Sequence, residues 1–267
     1  MLRTARKVDS PRPLVRPPAG PAPRPDGLNR LDRLDRLDGL RGFAMLWMTV
    51  FHACFDLNLH GLIGRQNFYA DPFWTGQRVV ILSLFLLCAG AGQAVAQTQA
   101  VSWARFWRRW GRLVACALAV SAGSWWMFPR SWISFGVLHG LALMLLLARL
   151  LAAQGSARLL ALAALCLLLP QWVAHPLFDS RWTWWVGLVT HKPPTEDFVP
   201  LLPWFGVLLA GLAGMRELQN RRPAWVSGPL PRGLAPLAVL GRWSLSYYML
   251  HQPVLLGLLS LGLMLRG

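Results

Sequence analysis

The sequence predicts an all-α fold, a polytopic bundle of about seven transmembrane helices with its N-terminus on the cytoplasmic side. Hydrophobic residues make up 55% of the 267 positions and charged residues only 14%, well below the roughly 25% of a typical soluble domain. Apolar windows of about 20 residues, the length that crosses a bilayer, recur along the chain. This composition excludes a soluble globular protein. The formal charge of +16 does not indicate nucleic-acid binding, because the basic residues are divided between a tail and alternate loops.

The chain divides into a tail, residues 1–36, and a predicted transmembrane domain, residues 37–267. Residues 1–30 hold seven prolines and seven Lys or Arg with few large apolar side chains, a composition that predicts a disordered basic cytoplasmic segment. The repeat RLDRLDRLD at 30–38 has a period of three residues. Such a period drifts around a helix and gives no single apolar face.

Seven apolar stretches are long enough to be spans, and two long loops separate some of them. A short apolar piece at 234–241 precedes the last span. The loop 175–198 is aromatic, and it is either an interfacial loop or a lid or sugar platform over a cavity. The other long loop covers 59–77. The spans are predicted at 39–58, 78–97, 111–128, 132–151, 157–174, 199–215 and 242–265.

The orientation follows from the basic residues. With the N-terminus inside, 21 of the 27 Lys and Arg fall in inner segments and six in outer ones. The bias persists when the tail up to residue 40 is left out. The positive-inside rule therefore predicts that the N-terminus is cytoplasmic and the C-terminal end of the last span is outside.

Three histidines, His52, His139 and His251, fall within predicted spans. At about 1.5 Å per helical residue they lie roughly 18, 17 and 14 Å from the inner ends of their spans, close to the middle of a core about 30 Å thick. Ionisable groups at that depth usually face a bundle interior or wet cavity and mark a functional path. Their similar depth allows the three to converge.

Each histidine has a catalytic and a structural interpretation. Asp56 follows His52 by four residues and shares its helix face, so the carboxylate is a candidate orienter of the imidazole, or else a cap at the outer helix end. His139 is either functional or a packing residue bonded to a neighbouring carbonyl. His251 precedes Pro253, which breaks the helical ladder, so its imidazole could instead satisfy a freed carbonyl.

The four cysteines indicate neither a disulfide nor a metal site. They have no CxxC spacing and no neighbouring histidine pattern, and small buried hydrophobic residues are the simplest interpretation. They are Cys54, Cys88, Cys116 and Cys166.

Four segments carry a resemblance to a known family. They are LDGLRGFAMLWMTVFHACFDL (37–57), FGVLHGLAL (135–143), DFVPLLPWFGVLLAG (197–211) and LGRWSLSYYMLHQPVLLGLL (240–259). In this order they resemble the bacterial members of the heparan-alpha-glucosaminide N-acetyltransferase catalytic-domain family, and the resemblance runs from about residue 33 to 260. The first segment also resembles the wider integral-membrane acyltransferases that modify sugars and envelope polymers.

The resemblance implies a multi-pass protein of the bacterial inner membrane that transfers an acetyl or similar acyl group. Acetyl-CoA would enter from the cytoplasm, and an amine or hydroxyl of an outer-side, sugar-like or envelope-polymer acceptor would receive the group. His52 falls at the family's polar position in the first span. The family's active histidine lies in the first outer loop, and residues 61–74 here contain none.

The predicted mechanism uses His52 as general base, oriented by Asp56, with His139 binding or sharing the proton. A covalent acyl-histidine is the variant. Arg41 and Arg242, at the inner ends of the first and last spans, are candidates for the CoA phosphates, which Arg pairs with bidentately. Asp38 and His251 are the other two candidate residues for binding CoA or the acceptor substrate.

Two other classes of function stay open at this point. A proton-coupled transporter would use the histidines as a relay, but the seven spans show no internal repeat. A non-catalytic membrane scaffold is the third possibility. Binding or hydrolysis of acetyl-CoA distinguishes the enzyme from both.

Overall fold

The structure, a computed structural model, describes residues 34–227 and 230–265. The basic tail predicted for residues 1–36 lies outside the described residues except for its last three positions. Within the described ranges all regular structure is helical and no strand occurs. The all-α prediction is therefore confirmed for this part of the chain.

Each predicted apolar stretch overlaps one helix, but the helices that begin at Pro72 and Trp103 start six and eight residues earlier than predicted, and the one that begins at Val137 starts five residues later. The piece predicted at 234–241 is α8, and α1 begins at Asp35, inside the charged repeat, so the first helix starts four residues earlier than predicted. The helices are α1 (Asp35–Leu59), α2 (Pro72–Thr98), α3 (Trp103–Met127), α4 (Val137–Leu150), α5 (Ser156–Trp172), α6 (Leu201–Arg221), α7 (Pro223–Ser227), α8 (Ala235–Arg242) and α9 (Ser244–Met264).

Four helices in the described part of the chain, α1, α2, α6 and α9, are long and apolar enough to cross a membrane. The helices α4 and α5 are apolar but shorter, and α3 begins with a cluster of arginines. The predicted count of about seven spans and the N-in orientation are thus not confirmed and stay predictions.

Close backbone contacts at glycines join α2, α5 and α6 into the main core. A Cβ on Gly90 would lie 2.0 Å from the Leu208 carbonyl oxygen, and one on Gly211 would lie 2.4 Å from that of Leu87. Only glycine allows these two backbones to approach so closely. Fully buried side chains fill the space around them, among them Leu86, Met144, Leu159, Leu208, Leu209 and Leu212.

A second close contact joins α1 to α8. A Cβ on Gly42 would lie 1.9 Å from the Leu237 carbonyl oxygen, and one on Gly241 would lie 1.9 Å from the Asp38 carbonyl oxygen. The glycines of the LDGLRG and LGR motifs therefore face each other. They fix the start of α1 against the helix that leads into α9.

The bundle has two chemically different ends. The Arg216 guanidinium, near the end of α6, donates to the side chain of Gln97 at the end of α2 and to the Gln154 carbonyl between α4 and α5. We call this the basic end. At the opposite end, the loop end, the Asp197 carboxylate accepts a hydrogen bond from the Val137 backbone N–H at the start of α4.

Candidate active site

His52 on α1 and His251 on α9 face each other in the interior of the bundle. Their ring centroids are 5.3 Å apart, with the planes inclined by 53°. His251 is buried, with 8% of its surface exposed, and His52 is half-buried. The structure therefore brings together two of the three histidines that the sequence indicated.

The hydrogen bonding of His251 determines which of its nitrogens is a base. Its Nδ1 lies 2.7 Å from the Tyr248 carbonyl oxygen. Because a carbonyl only accepts, Nδ1 carries the hydrogen and the neutral ring presents an unprotonated Nε2. Within the described residues Nε2 is buried and has no hydrogen-bond partner, so its lone pair is free to accept a proton from a bound molecule.

The Tyr248 carbonyl is not the one that Pro253 deprives of a donor. In a helix, residue 253 would donate to the carbonyl of Met249, one residue later. Contrary to the structural alternative, His251 therefore does not bond the carbonyl that the proline frees. It bonds the Tyr248 carbonyl instead, so one nitrogen of its ring does have a structural partner.

Asp56 contacts Gln252 rather than His52. The Gln252 side-chain amide donates to both carboxylate oxygens, at 3.2 and 3.0 Å, and Asp56 is only 4% exposed. Among the described residues no hydrogen bond joins Asp56 to His52. The prediction that the Asp56 carboxylate orients the His52 imidazole is therefore wrong. The side chain points toward α9, where a buried amide donor meets it.

A second polar bridge between α1 and α9 lies one turn before the histidine pair. The Thr49 hydroxyl donates to the Met45 carbonyl at 2.9 Å and lies 2.7 Å from the Tyr247 hydroxyl. Because the single Thr49 hydrogen is used, Tyr247 donates to Thr49. The Tyr247 ring lies parallel to that of His251, with centroids 6.2 Å apart. The hydrogen bond to Thr49 thus fixes the Tyr247 ring beside the His251 imidazole.

The order of these contacts shows that α1 and α9 run in the same direction. Thr49 meets Tyr247, His52 meets His251, and Asp56 meets Gln252. The contacts advance together along both helices. Tyr247, Tyr248, Gln252 and Thr49 were not predicted as site residues, although the first three lie within one helical turn of His251.

His139 is placed differently from the prediction. It lies in the first turn of α4, because the helix begins at Val137 rather than at 132. Its Nδ1 accepts from the Gly136 backbone N–H at 3.4 Å, and its Nε2–H donates to the Ser121 hydroxyl at 3.0 Å. Both ring nitrogens have partners, and no ring contact in the described part of the chain links His139 to the histidine pair.

Arg41, Arg242 and Asp38 come together near the start of α1, in an ion cluster with Asp35. Arg41 pairs with Asp38 at 2.9 Å, and Arg242 pairs with Asp35 at 2.7 Å and with Asp38 at 3.8 Å. The cluster joins α1 to the end of α8. The predicted role of the two arginines in CoA binding stays a prediction, but both guanidiniums already have carboxylate partners.

A cleft of about 450 Å³ opens at the loop end, beside the last turn of α1. On its rim, the Lys192 ammonium lies 5.4 Å from the centre of the Tyr69 ring. The cleft is lined by Phe55, the residue next to Asp56 on the same helix. Its lining combines aromatic rings, amides and one guanidinium: Phe55, Asn58, Leu59, Arg65, Gln66, Asn67, Phe68 and Tyr69.

The long aromatic loop at this end is ordered by carboxylates. Asp179 accepts from the Thr190 hydroxyl at 2.6 Å and from the Thr190 N–H at 2.8 Å, and these bonds lower the pKa of the Asp179 carboxyl. Burial raises the pKa of the Asp197 carboxyl, although its bond to the Val137 N–H acts in the opposite sense. The Asp179 bonds close the loop on itself, and the Asp197 bond holds the end of the loop against the start of α4.

The described residues contain no group of three His, Cys, Asp or Glu that could hold a metal ion. The four cysteines are free thiols.

Residues 33–253 match the family described as heparan-alpha-glucosaminide N-acetyltransferase, catalytic. The chain belongs to this family. The match covers most of the chain and includes α1, α9 up to Pro253, and both histidines of the pair. Together with the four helices that are long and apolar enough to cross a membrane, membership indicates a multi-pass membrane acetyltransferase. No curated protein and no solved structure matches the chain.

Proposed function

We propose that this protein transfers an acetyl or similar acyl group from cytoplasmic acyl-CoA to an amine or hydroxyl of a sugar-like acceptor outside a bacterial inner membrane. The family match supports the reaction class. The observation that carries the proposal is the pair of His52 and His251, in which a buried imidazole nitrogen has no partner in the described part of the chain.

The pair has the properties of a general base. Burying a polar atom without a hydrogen bond is costly, so an unpartnered buried nitrogen indicates a place where a substrate donor binds. The Tyr248 carbonyl holds His251 in the tautomer that accepts at Nε2. The His52 ring lies on the neighbouring helix, with its centroid 5.3 Å from that of His251. The two rings therefore line one small region.

The proposed step is a direct acyl transfer. The acceptor nitrogen or oxygen attacks the thioester carbonyl while its proton passes to the histidine pair. The carbon–sulfur bond then breaks, and the leaving CoA thiolate takes the proton from the imidazolium. One bond forms, one breaks and the base is regenerated. General-base catalysis of this kind contributes roughly 10²–10⁴ in rate.

The other polar residues of the site have supporting roles in this proposal. Asp56 and Gln252 fix the second half of α1 to α9, and the Thr49–Tyr247 bridge does the same one turn earlier. The cleft near Tyr69 is the proposed acceptor entrance, because it opens at the loop end close to Asp56. Arg41 and Arg242 remain proposed donor-side residues.

The test is acyl transfer by purified wild-type protein and His52→Ala in detergent. We expect wild type to bind acetyl-CoA and to release free CoA faster when an amino sugar is added. We expect His52→Ala to bind acetyl-CoA but to turn it over about 10²–10⁴-fold more slowly. Proton flux in proteoliposomes without any acetyl-CoA turnover would support the transporter alternative instead. Absence of both activities would support a scaffold.

A further inference from the structure

Four arginines lie on one face of α3, in its first three turns. At about 100° per residue, Arg105, Arg108, Arg109 and Arg112 fall within an arc of about 100°. Three of them, at positions i, i+4 and i+7, form a row along the axis: Arg105, Arg109 and Arg112. We call these three the α3 arginine row.

The α3 arginine row has no carboxylate partner in the described part of the chain. Three arginines elsewhere at the basic end do have carboxylate partners: Arg41 with Asp38, Arg242 with Asp35, and Arg221 with Glu217. Like charges one turn apart on a helix destabilise it. A row of three guanidiniums without a counter-charge therefore favours an anion from outside the chain.

The row is held by a well-anchored helix. The Ser102 hydroxyl caps α3 by accepting from the Arg105 N–H. The Trp110 indole donates to the Ala142 carbonyl on α4 at 2.8 Å, and Phe106 and Leu113 are buried. These contacts fix the rotation of α3 about its axis. The arginines are thus presented on a preorganised face, which lowers the entropy lost on binding.

The row also lies at the end of the bundle where the donor is proposed to enter. The Arg149 guanidinium, at the end of α4, donates to the Val101 carbonyl just before α3 and lies 5.0 Å from the centre of the Trp103 ring. Together with the bonds of Arg216, this places the start of α3 at the basic end.

We propose that Arg105, Arg109 and Arg112 form a phosphate-binding site. Guanidinium groups bind phosphate oxygens through paired N–H donors. The preferred ligand, which rests on the proposed function, is the pyrophosphate and 3′-phosphate of acyl-CoA. A phospholipid headgroup offers the same chemistry at the same depth, and the experiment below distinguishes these two sources.

The first arm measures CoA binding in neutral detergent. The variants are Arg109→Gln and the triple Arg105→Gln/Arg109→Gln/Arg112→Gln. The matched control removes three charges elsewhere at the basic end: Arg158→Gln/Arg221→Gln/Arg222→Gln. We expect the triple to raise the Kd of CoA at least tenfold, the single variant to raise it about threefold, and the control to leave it unchanged. Wild type is expected to bind 3′-dephospho-CoA more weakly than CoA.

The second arm measures binding of anionic lipid, using nanodiscs of phosphatidylcholine with and without phosphatidylglycerol. If the triple variant no longer binds phosphatidylglycerol preferentially but keeps its affinity for CoA, the row is a phosphate site whose ligand is a lipid headgroup. If both affinities equal those of wild type, in the triple and in the single variant, the proposal is overturned. Wild type that binds CoA through the row but transfers no acyl group would overturn the proposed function and leave this site intact.

Discussion

The imidazoles of His52 and His251 face each other with their ring centroids 5.3 Å apart, and the Tyr248 carbonyl fixes the hydrogen of His251 on Nδ1. At this separation two positive charges would repel strongly, so the pair holds one added proton more readily than two. A single proton shared by two rings is what a general base needs during one turnover. The pair is therefore expected to act as a unit.

Replacing either histidine of the pair is expected to lower acyl transfer by about 10²–10⁴-fold. The double variant His52→Ala/His251→Gln is expected to lose no more than the worse single variant, because groups that act as a unit give non-additive losses. Turnover of acetyl-CoA with an amino sugar acceptor measures this. Losses that add on a logarithmic scale would show that the two histidines act independently.

His139→Gln and His191→Gln are the matched controls for the pair. His139 has partners at both nitrogens, so its replacement is expected to lower thermal stability while turnover per folded molecule is kept. His191 lies on the exposed part of the loop and its replacement is expected to change neither quantity.

The positions of the helices were predictable from sequence, but the contacts between them were not. Hydrophobicity over about 20 residues is a local property, so each apolar window contains a helix. Which helices are neighbours is not local. The spacing of four residues placed Asp56 on the face of His52, yet the stronger contact is the Gln252 amide on α9, which lies far away in the chain.

The start of α4 explains why His139 lies in the first turn of its helix rather than near the middle of a span. The apolar window continued back to residue 132, so the histidine was predicted near the middle of a span. The Asp197 carboxylate accepts from the Val137 N–H and thereby sets the start of α4. Asp197 lies 60 residues further along the chain, so the hydrophobicity of residues 132–151 alone cannot show that the helix begins at Val137.

Adding one methyl group at Gly42 or Gly241 is expected to destabilise the protein strongly. The new Cβ would lie 1.9 Å from a backbone carbonyl oxygen, which cannot move aside as a flexible side chain could. Overpacking typically costs about 1–3 kcal/mol, and a backbone clash falls at the upper end. Thermal unfolding of Gly42→Ala and Gly241→Ala in detergent measures the effect. Gly257→Ala, where nothing lies within 4 Å, is the control and is expected to be neutral.

Protonation of Asp179 is expected to loosen the aromatic loop at low pH. The two bonds from Thr190 lower the pKa of this carboxyl below its unfolded value of about 3.9, so their stabilisation is present above that pH and is lost as the pH falls through the folded pKa. Hydrogen exchange of the Thr190 amide, corrected for its intrinsic rate, measures this. Asp179→Asn is expected to exchange faster at pH 7. Equal protection of the Thr190 amide in wild type and Asp179→Asn at pH 7 would contradict the prediction.

The basic end is expected to face the cytoplasm. The prediction rests on the distribution of 21 inner and six outer Lys and Arg residues. In a background without the four native cysteines, single cysteines at Arg158 and at Ser180 test it with an impermeant maleimide on intact cells. The second is expected to react and the first to react only after lysis. The reverse pattern would place the cleft beside Tyr69, the proposed acceptor entrance, on the cytoplasmic side.

The last prediction concerns the buried contact between Asp56 and Gln252. Gln252→Leu removes the amide that donates to both carboxylate oxygens and leaves a 4% exposed carboxylate without that donor. Loss of the partner of a buried charged group costs about 3–5 kcal/mol, whereas removing both polar groups is nearly neutral. Gln252→Leu alone is therefore expected to be much less stable than Asp56→Leu/Gln252→Leu. Thermal unfolding of the two single variants and the double variant measures the coupling, and turnover of the folded double variant shows whether the carboxylate serves catalysis as well as packing. Retained turnover would restrict Asp56 to holding α1 against α9, and a loss greater than tenfold in the stable double variant would support its participation at the histidine pair.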